Sequence, residues 1–508
     1  MRFTFRWKTS GGAVLAATTL AVGLAGYAAP AGAVPAPGTA SPVAGTASSA
    51  TGTATPARFA GLAASGGVSA EAAVGTPQLN KTGTSQEVIR QLVQCGTTMY
   101  AVGRFTQINQ LGVVYKRNNV FSFSATGPSY AITSWAPNVN GQVNAIAFNP
   151  SDCSHAYIGG KFTSINGTAV SNIAEIDATP TSNGNVVPGF GTNADNEVWT
   201  MVYAKGHLLT GGDFIHINGT KENHFASLNP GTGADDGFIH LNISGTYTFC
   251  AAGGKPCTDP NNRTQVYNQQ LSHSGTLDLV EGRFTSVGSL PRQQIFMLNL
   301  ATSPASVTGW TSPEWDGSDT THYPDFQCWP SLAFYVRSAA WSPYVSTVYL
   351  ATTGLHPARE NPSPHQGLCD SVSAWPATKT KVLHNWIEYS GCDSYYTVSA
   401  DNAVVYAAGH PRWAENSNGC NKQGTGAIPD AGLQGFKPAD GSLLPNSAGT
   451  AGLYTMTRAN ADNMLITSAG LWIGSTNRYT VNKCGDLTGP TGHNAADHAG
   501  ICFLPYPS

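Results

Sequence analysis

One short pattern recurs along this 508-residue chain and restricts its fold more than any other feature. A run of β-branched or aromatic residues ends at a glycine, a phenylalanine follows two residues later, and a polar turn comes next. Four clear copies lie at residues 100–109, 157–167, 209–219 and 280–288. Weaker copies end at Gly354, Gly409 and Gly474, and the seven glycines are 52 to 72 residues apart. Repetition at this period indicates an array of similar units.

Short hydrophobic runs broken by Gly, Asn and Pro turns, without helical periodicity, predict an all-β fold. Units of about 50 residues with four strands are typical of β-propeller blades. We therefore expect a seven-bladed β-propeller of four-stranded antiparallel blades, with residues 78–85 completing the last blade. First strands are predicted at residues 143–148, 198–203, 332–336, 395–398 and 453–456. Each repeat glycine is expected to allow positive φ and a close backbone approach, and Phe105, Phe162, Phe214 and Phe284 are expected in the core.

The four clear copies resemble the Gly-Gly-x-Phe-Thr-x-Val-Asn-Gly repeats of secreted actinobacterial β-propellers, the delta-60 or Kelch-like repeat family. His410-Pro-Arg-Trp413, followed by residues 432–441, is also similar to a recurring blade of that family. The resemblance covers most of residues 80–508 and implies a fold rather than a reaction. The fifth unit departs from it, because Leu355-His356-Pro357 replaces Gly-x-Phe.

The N-terminal residues predict export. Arg2, Arg6 and Lys8 precede an apolar run and a small-residue cleavage site, so residues 1–33 are interpreted as a signal peptide. Residues 34–77 are rich in Ala, Pro, Ser and Thr and are expected to form a disordered leader before a propeller at residues 78–508. The net charge of -3 becomes more negative without the signal peptide, which argues against nucleic acid or an anionic membrane as partner. No later stretch is long and apolar enough to span a bilayer, so membrane insertion is not expected.

Ten cysteines in an exported chain predict disulfides rather than a metal centre, since Cys-x-x-Cys spacing is missing. The simplest pairing staples loops to their own blades and joins the first two blades. The expected pairs are Cys95–Cys153, Cys250–Cys257, Cys328–Cys369, Cys392–Cys420 and Cys484–Cys502.

The loops between the second and third strands are compact in the first four units and long and polar in the last three. Planar and charged side chains in these long loops suit a polar ligand such as a sugar. The candidate ligand-binding residues are His356, Arg359, Glu360, His410, Arg412, Trp413, Glu415 and Asn416. The alternative is that these groups pair locally and Trp413 covers an exposed loop.

Known catalytic motifs are missing, so no catalytic residue, cofactor or metal site is predicted. The expected function is non-enzymatic recognition of a carbohydrate or cell-surface ligand by a secreted protein. The protein acts either alone or as a subunit of a larger secreted assembly with a protein partner. One alternative is a glycan-active hydrolase or lyase built from carboxylates such as Glu360 and Glu415. Another is a protein–protein scaffold, which the fold alone does not separate from the first two.

Overall fold

The computed structural model describes residues 66–79, 86–246, 263–315, 335–354, 367–454, 461–477 and 499–507. Within these ranges the secondary structure consists of β-strands, bridges and turns, without a helix, so the predicted all-β class is confirmed. A helix able to span a membrane is accordingly not found in these ranges.

The strands of the first four repeat units follow in chain order. Unit one contains β1 (Gln78–Leu79), β2 (Val88–Cys95), β3 (Thr98–Arg104), β4 (Gln107–Gln110), β5 (Val113–Lys116) and β6 (Val120–Ser124). Unit two contains β7 (Gln142–Asn149), β8 (Asp152–Lys161), β9 (Ser164–Ile165), β10 (Thr168–Ala169) and β11 (Ile173–Asp177). Unit three contains β12 (Val198–Ala204), β13 (His207–Gly212), β14 (His216–Ile217), β15 (Thr220–Lys221) and β16 (Phe225–Leu228). Unit four contains β17 (Ile243–Ser244), β18 (Gln265–Leu271), β19 (Leu277–Arg283), β20 (Ser286–Val287), β21 (Leu290–Pro291), β22 (Ile295–Asn299) and β23 (Ser306–Val307).

The last three units are built in the same way. Unit five contains β24 (Val336–Trp341), β25 (Thr347–Thr352), β26 (Ser371–Pro376) and β27 (Trp386–Tyr389). Unit six contains β28 (Tyr395–Ala400), β29 (Val405–Gly409), β30 (Trp413–Ala414), β31 (Ile428–Pro429) and β32 (Leu433–Phe436). Unit seven contains β33 (Ala461–Thr467), β34 (Gly470–Ser475) and β35 (Ile501–Pro505).

Each unit forms one main antiparallel sheet. In the described residues these sheets are β2-β3-β6, β7-β8-β11, β12-β13-β16, β18-β19-β22-β23, β24-β25-β26-β27, β28-β29-β32 and β33-β34-β35. A small hairpin, such as β9-β10 or β14-β15, lies between the second and third strands of several units and carries the polar turn of the repeat. Meander sheets of this kind, packed side by side, are the architecture of a β-propeller.

The hydrophobic core is divided into layers between consecutive main sheets. Tyr100 and Val102 of unit one, for example, pack against Ile146 and Ile158 of unit two. A corresponding layer joins the last unit to the first, where Trp472 packs with Phe123 at a ring-centroid distance of 5.5 Å.

Side-chain hydrogen bonds also tie neighbouring first strands. Ile146 N donates to Gln91 Oε1 at 2.6 Å, and Leu92 N donates to Asn463 Oδ1 at 3.0 Å. The first strands of units one and two, and of units seven and one, are therefore neighbours.

The repeat glycines and phenylalanines occupy these layers. Phe105, Phe162, Phe214 and Phe284 are all buried, each in the layer shared with the preceding unit, so their predicted core role is confirmed. Gly103 and its counterparts in units two, three, four and six have negative φ, contrary to the expectation of positive φ. Glycine is required there because the neighbouring strand lies close to it: a Cβ at Gly103 would overlap the carbonyl oxygen of Val88.

In units five and seven, the first strands lie at positions other than those predicted from the sequence. The first strand of unit five is β24 rather than residues 332–336, of which residues 332–334 lie outside the described ranges. The first strand of unit seven is β33, and the described part of residues 453–456 forms a turn. Thr352 pairs with Val336 and Ser475 pairs with Ala461, the register position that the repeat glycine occupies in the other units. The prediction that Gly354 and Gly474 are the repeat glycines of units five and seven is therefore wrong. Because a small side chain replaces glycine in these two units, the position of the repeat could not be recognised there from the glycine.

The end of the predicted leader is part of the fold. Ser69 N donates to Pro505 O at 2.7 Å, and Ala73 N donates to Phe503 O at 2.8 Å, so residues 69–73 run beside β35. Gln78 and Leu79 pair instead with β4 of unit one. The last sheet is therefore extended by a segment that begins earlier than residues 78–85.

Two predicted disulfides are present. Cys95 and Cys153 join units one and two with a Cα–Cα distance of 5.7 Å, and Cys392 and Cys420 are bonded within unit six at 4.6 Å. Cys369 and Cys502 are also disulfide-bonded. Their predicted partners Cys328 and Cys484, and both members of the Cys250–Cys257 pair, lie outside the described residues.

Candidate functional site

Every main sheet has a β-bulge at the same place. In each first strand one extra residue stands one or two positions after the strand begins, opposite the end of the second strand. A bulge twists the strand and turns its extra side chain away from the regular alternation. We call the seven extra residues the bulge residues; they are Arg90, Asn144, Trp199, Tyr267, Arg337, Tyr396 and Asp462.

Charged bulge residues from distant units meet at one point. Arg90 of unit one and Arg337 of unit five both lie beside Asp462 of unit seven, with N–O distances of 3.7 and 3.9 Å. Units one and five are not neighbours in the chain or in the sheet order, so their side chains meet only if the bulges face a common centre. Asp462 is shared by two guanidinium groups, and its side chain is 7% exposed. We call this convergence the polar centre.

The polar centre extends to one of the long loops. The guanidinium of Arg337 lies over the ring of Tyr396 at 4.4 Å, and the Tyr396 hydroxyl is 3.0 Å from Nδ1 of His410. Among the predicted ligand-binding residues that are described, His410 is thus linked to the polar centre through a bulge residue.

Two carboxylates lie on the unit-three side of the polar centre. Asn144 Nδ2 donates to Oε1 of Glu197 at 3.0 Å, and Asp213 forms an ion pair with Arg263. Burial raises the pKa of Asp213 to about 6, against the lowering effect of Arg263. Burial also raises the pKa of Glu197, while Asn144, Lys161, Arg263 and Arg90 act in the opposite direction.

The polar centre holds buried groups with unused hydrogen-bonding capacity. Arg90 is 2% exposed, yet neither its Nε nor its Nη1 has a hydrogen-bond partner among the described residues. The buried carboxylate of Asp213 is paired with Arg263 and lies beside the indole of Trp199. Buried polar groups are normally satisfied by protein, water or ligand. Guanidinium donors, carboxylate acceptors and the aromatic bulge residues together suit a small ligand with several hydroxyl groups.

The raised pKa of Asp213 predicts a pH dependence of stability. Because the folded state binds the Asp213 proton more tightly than the unfolded state, stability is highest below the unfolded pKa of about 4 and declines as the pH rises to about 6. We expect this decline to amount to about 1–3 kcal/mol and to be missing in Asp213→Asn. Urea unfolding of both proteins between pH 4 and 7 measures it, and parallel curves would contradict the assignment.

The other loop residues of unit six are engaged in local contacts. Arg412 forms a bidentate pair with Asp393, at 2.6 and 3.1 Å, and lies over the ring of Trp413 at 4.4 Å. Glu415 Oε1 accepts a hydrogen bond from Leu443 N at 3.3 Å.

Asn416 is fully buried; its side-chain amide donates to Ser390 O at 3.2 Å and accepts from Gly424 N at 2.8 Å. His356, Arg359 and Glu360 lie outside the described residues. Their ligand-binding role, like that of the unit-six loop, stays a prediction.

Two other surfaces lack the chemistry of the polar centre. A depression of about 740 Å³ lies between units four and five and is lined by Arg292, Gly309, Thr311 and residues 378–381. It contains neither carboxylates nor aromatic rings. The β4-β5 hairpin exposes Leu111, Val113 and Val114 to more than half of their full extent and forms an apolar tip.

The sequence-based search missed the bulge residues because their identity changes from unit to unit. A repeat search finds what is shared, and these positions share only a place in the strand. One sequence signal could have identified the bulge residues. The first-strand residue that pairs with the repeat position is apolar, and a large polar or aromatic residue follows it, as in Ile89-Arg90, Val198-Trp199 and Val336-Arg337.

Comparison with known proteins gives distant structural likenesses only. Neither a family model nor a curated protein matches the chain. It is similar to the RRP9 WD40 repeats, with 9% identity, a TM-score of 0.42 and coverage of 86% of this chain and 99% of that one. It is similar to the WD40 β-propeller domain of Doa1, with 10% identity, a TM-score of 0.35 and coverage of 86% and 97%.

A third likeness is to the Cps50 (Swd1) β-propeller domain of Myceliophteria thermophila, with 11% identity, a TM-score of 0.36 and coverage of 63% and 80%. The Cps50 and Doa1 domains are β-propellers by their descriptions, and RRP9 is described by its WD40 repeats. At these TM-scores the likeness carries no argument about ligand or partner, and the fold of this chain is assigned from its own sheets.

Proposed function

We propose that this chain is a secreted, seven-bladed β-propeller that recognises a polar ligand of the carbohydrate class at the mouth of its central channel. The blade count is supported by the seven main sheets and by the core layer that joins unit seven to unit one. Secretion is supported by the predicted signal peptide and by the two disulfides. Its place among the delta-60 or Kelch-like repeat proteins belongs to the same proposal.

One observation carries the ligand proposal: the guanidinium groups of Arg90 and Arg337, from units one and five, converge on Asp462 of unit seven, and buried donors of Arg90 stay unused. A purely structural ion pair would be expected to satisfy both of its partners. A ligand with several hydroxyl groups would accept from the guanidinium of Arg90 and donate to the carboxylates of Asp213 and Glu197. The bulge residue Trp199, 5% exposed and packed with Tyr267, adds an aromatic ring of the kind on which sugar rings stack.

A glycan array probed with the purified protein tests this proposal. Saturable binding of a glycan class that is recovered unchanged after incubation is the expected result. If the protein binds no glycan on the array and still unfolds cooperatively, the carbohydrate assignment is overturned.

A glycan-active hydrolase is the second candidate, and the Glu197–Asp213 pair favours it. Two carboxylates with raised pKa values, backed by Arg263, are typical of general acid and base pairs. This pair differs from the Glu360–Glu415 pair considered from the sequence: Glu415 accepts a hydrogen bond from Leu443 N, and Glu360 lies outside the described residues. Product analysis of the array hits separates the two candidates: cleavage that is abolished in Asp213→Asn and Glu197→Gln supports the hydrolase.

A protein partner is the role that the apolar β4-β5 hairpin favours. Its exposed Leu111, Val113 and Val114 would be covered in a larger assembly, whereas the polar centre would remain free. Size-exclusion chromatography of the protein with culture supernatant, compared with a Val113→Lys variant, tests this role; an unchanged elution volume would count against it.

A further inference from the structure

Three potential metal ligands lie together in unit three, apart from the polar centre. Glu222 follows β15, Asp235 forms a bridge with Leu228 of β16, and His240 comes shortly after it in the chain. One ligand atom from each of the three side chains lies within 4.8 Å of the others. Two carboxylates and one imidazole, from the end of the β14-β15 hairpin and from residues 235–240, are the donor set of a transition-metal site.

The carboxylate of Glu222 gives the second and independent observation. Glu222 is 6% exposed, and no described residue donates a hydrogen bond to its carboxylate. Its ion-pair partner among the described residues is His240, whose Nδ1 is 3.9 Å from Oε1, beyond hydrogen-bonding distance. A buried carboxylate without a donor is costly unless it binds a cation or a proton. A cation held among these three ligand atoms would therefore complete the pairing of the Glu222 carboxylate.

The other two side chains leave the site open on one side. Asp235 Oδ1 accepts one hydrogen bond, from Gly237 N at 3.3 Å, which leaves its second oxygen available. The His240 side chain is 63% exposed and packs beside Gly237. The carboxylates of Glu222 and Asp235 lie close together, and a bound cation would relieve this crowding of negative charge.

We propose that Glu222, Asp235 and His240 bind a divalent transition metal, with Zn²⁺ as the fitting ion. Three protein ligands with nitrogen and oxygen donors and one open position match an accessible zinc site. Ca²⁺ fits less well, because it takes six to eight oxygen ligands and does not favour imidazole. The metal would fasten residues 235–240 to the β14-β15 hairpin, so the site stabilises unit three and does not depend on the ligand of the polar centre.

Isothermal titration of the full, EDTA-treated protein with ZnCl₂ tests the proposal, with CaCl₂ as the competing probe. We expect a Zn²⁺ site that Glu222→Gln and His240→Ala each weaken by about 10-fold or more. His216→Ala is the matched control, because His216 is an exposed histidine of the same unit that pairs with Asp195, and it should leave the affinity unchanged. Zn²⁺ should also raise the melting temperature of the wild type and not of Glu222→Gln.

Glu222→Gln keeps the size of the buried side chain, and circular dichroism of the variant establishes whether it folds. Lack of Zn²⁺ binding by the wild type would overturn the proposal, as would equal affinity in a folded Glu222→Gln variant. Saturable Ca²⁺ binding without Zn²⁺ binding would overturn the identity of the ion.

Discussion

Replacing Asp462 by alanine is expected to lower the free energy of unfolding by about 3–5 kcal/mol, the largest effect that the structure predicts for a single side chain. The substitution leaves Arg90 and Arg337 buried side by side with no opposite charge between them. Burial already lowers the pKa of Arg90, and Asp462 is the first of the groups that oppose this shift. Urea unfolding at pH 7 measures the loss.

Asp440→Ala is the control for this experiment. Asp440 is an exposed residue of unit six whose carboxylate accepts hydrogen bonds from Ser442, so its loss should leave the free energy of unfolding nearly unchanged. A loss of less than 1 kcal/mol for Asp462→Ala would show that the two arginines do not depend on a common counter-charge.

Removing residues 66–77 is expected to cost about 3 kcal/mol of unfolding free energy. Val68 is buried between Tyr406 and Tyr454, and its backbone groups bond to both hydroxyls at 2.8 and 3.0 Å. Burial of a valine contributes about 1.5–3 kcal/mol and each hydrogen bond about 1 kcal/mol, partly offset by the entropy of ordering the segment.

The comparison is between chains that begin at residue 66 and at residue 78, each unfolded in urea. Val68→Asp in the longer chain is a second test, because it places a charge in the same layer without removing any backbone hydrogen bond. Equal stability of all three proteins would mean that residues 66–77 do not contribute to the last sheet.

The local part of this architecture could be predicted from the sequence, because its causes are local. A glycine is needed wherever the strands approach closely, and a phenylalanine two residues later fills the layer to the preceding unit, as Phe162 and Phe214 do. The two cysteine pairs could be predicted because chain distance and loop position limit the choices. Where Thr352 and Ser475 replace glycine, the same reasoning failed by one or two residues.

The polar centre could not be predicted in this way. Arg90 and Asp462 are separated by most of the chain, and neither stands in a motif that assigns it a role. Their meeting depends on the relative placement of units one and seven and on the bulge that turns each side chain. Asn416 illustrates the converse: this polar loop residue, predicted to bind a ligand, is buried within its own loop, and its role stays a prediction.

The most direct measurement of the central claim is the affinity for a glycan identified on the array, compared between Arg263→Gln and Arg412→Ala. Arg263 is a 46% exposed cation paired with Asp213 at the polar centre, whereas Arg412 belongs to the unit-six loop. The account predicts that Arg263→Gln weakens binding by about 10-fold or more, since hydrogen bonds to charged groups contribute about 1.5–3 kcal/mol, and that Arg412→Ala changes it by about twofold or less. Loss of binding in Arg412→Ala with full affinity in Arg263→Gln would place the site on the loop and contradict the account.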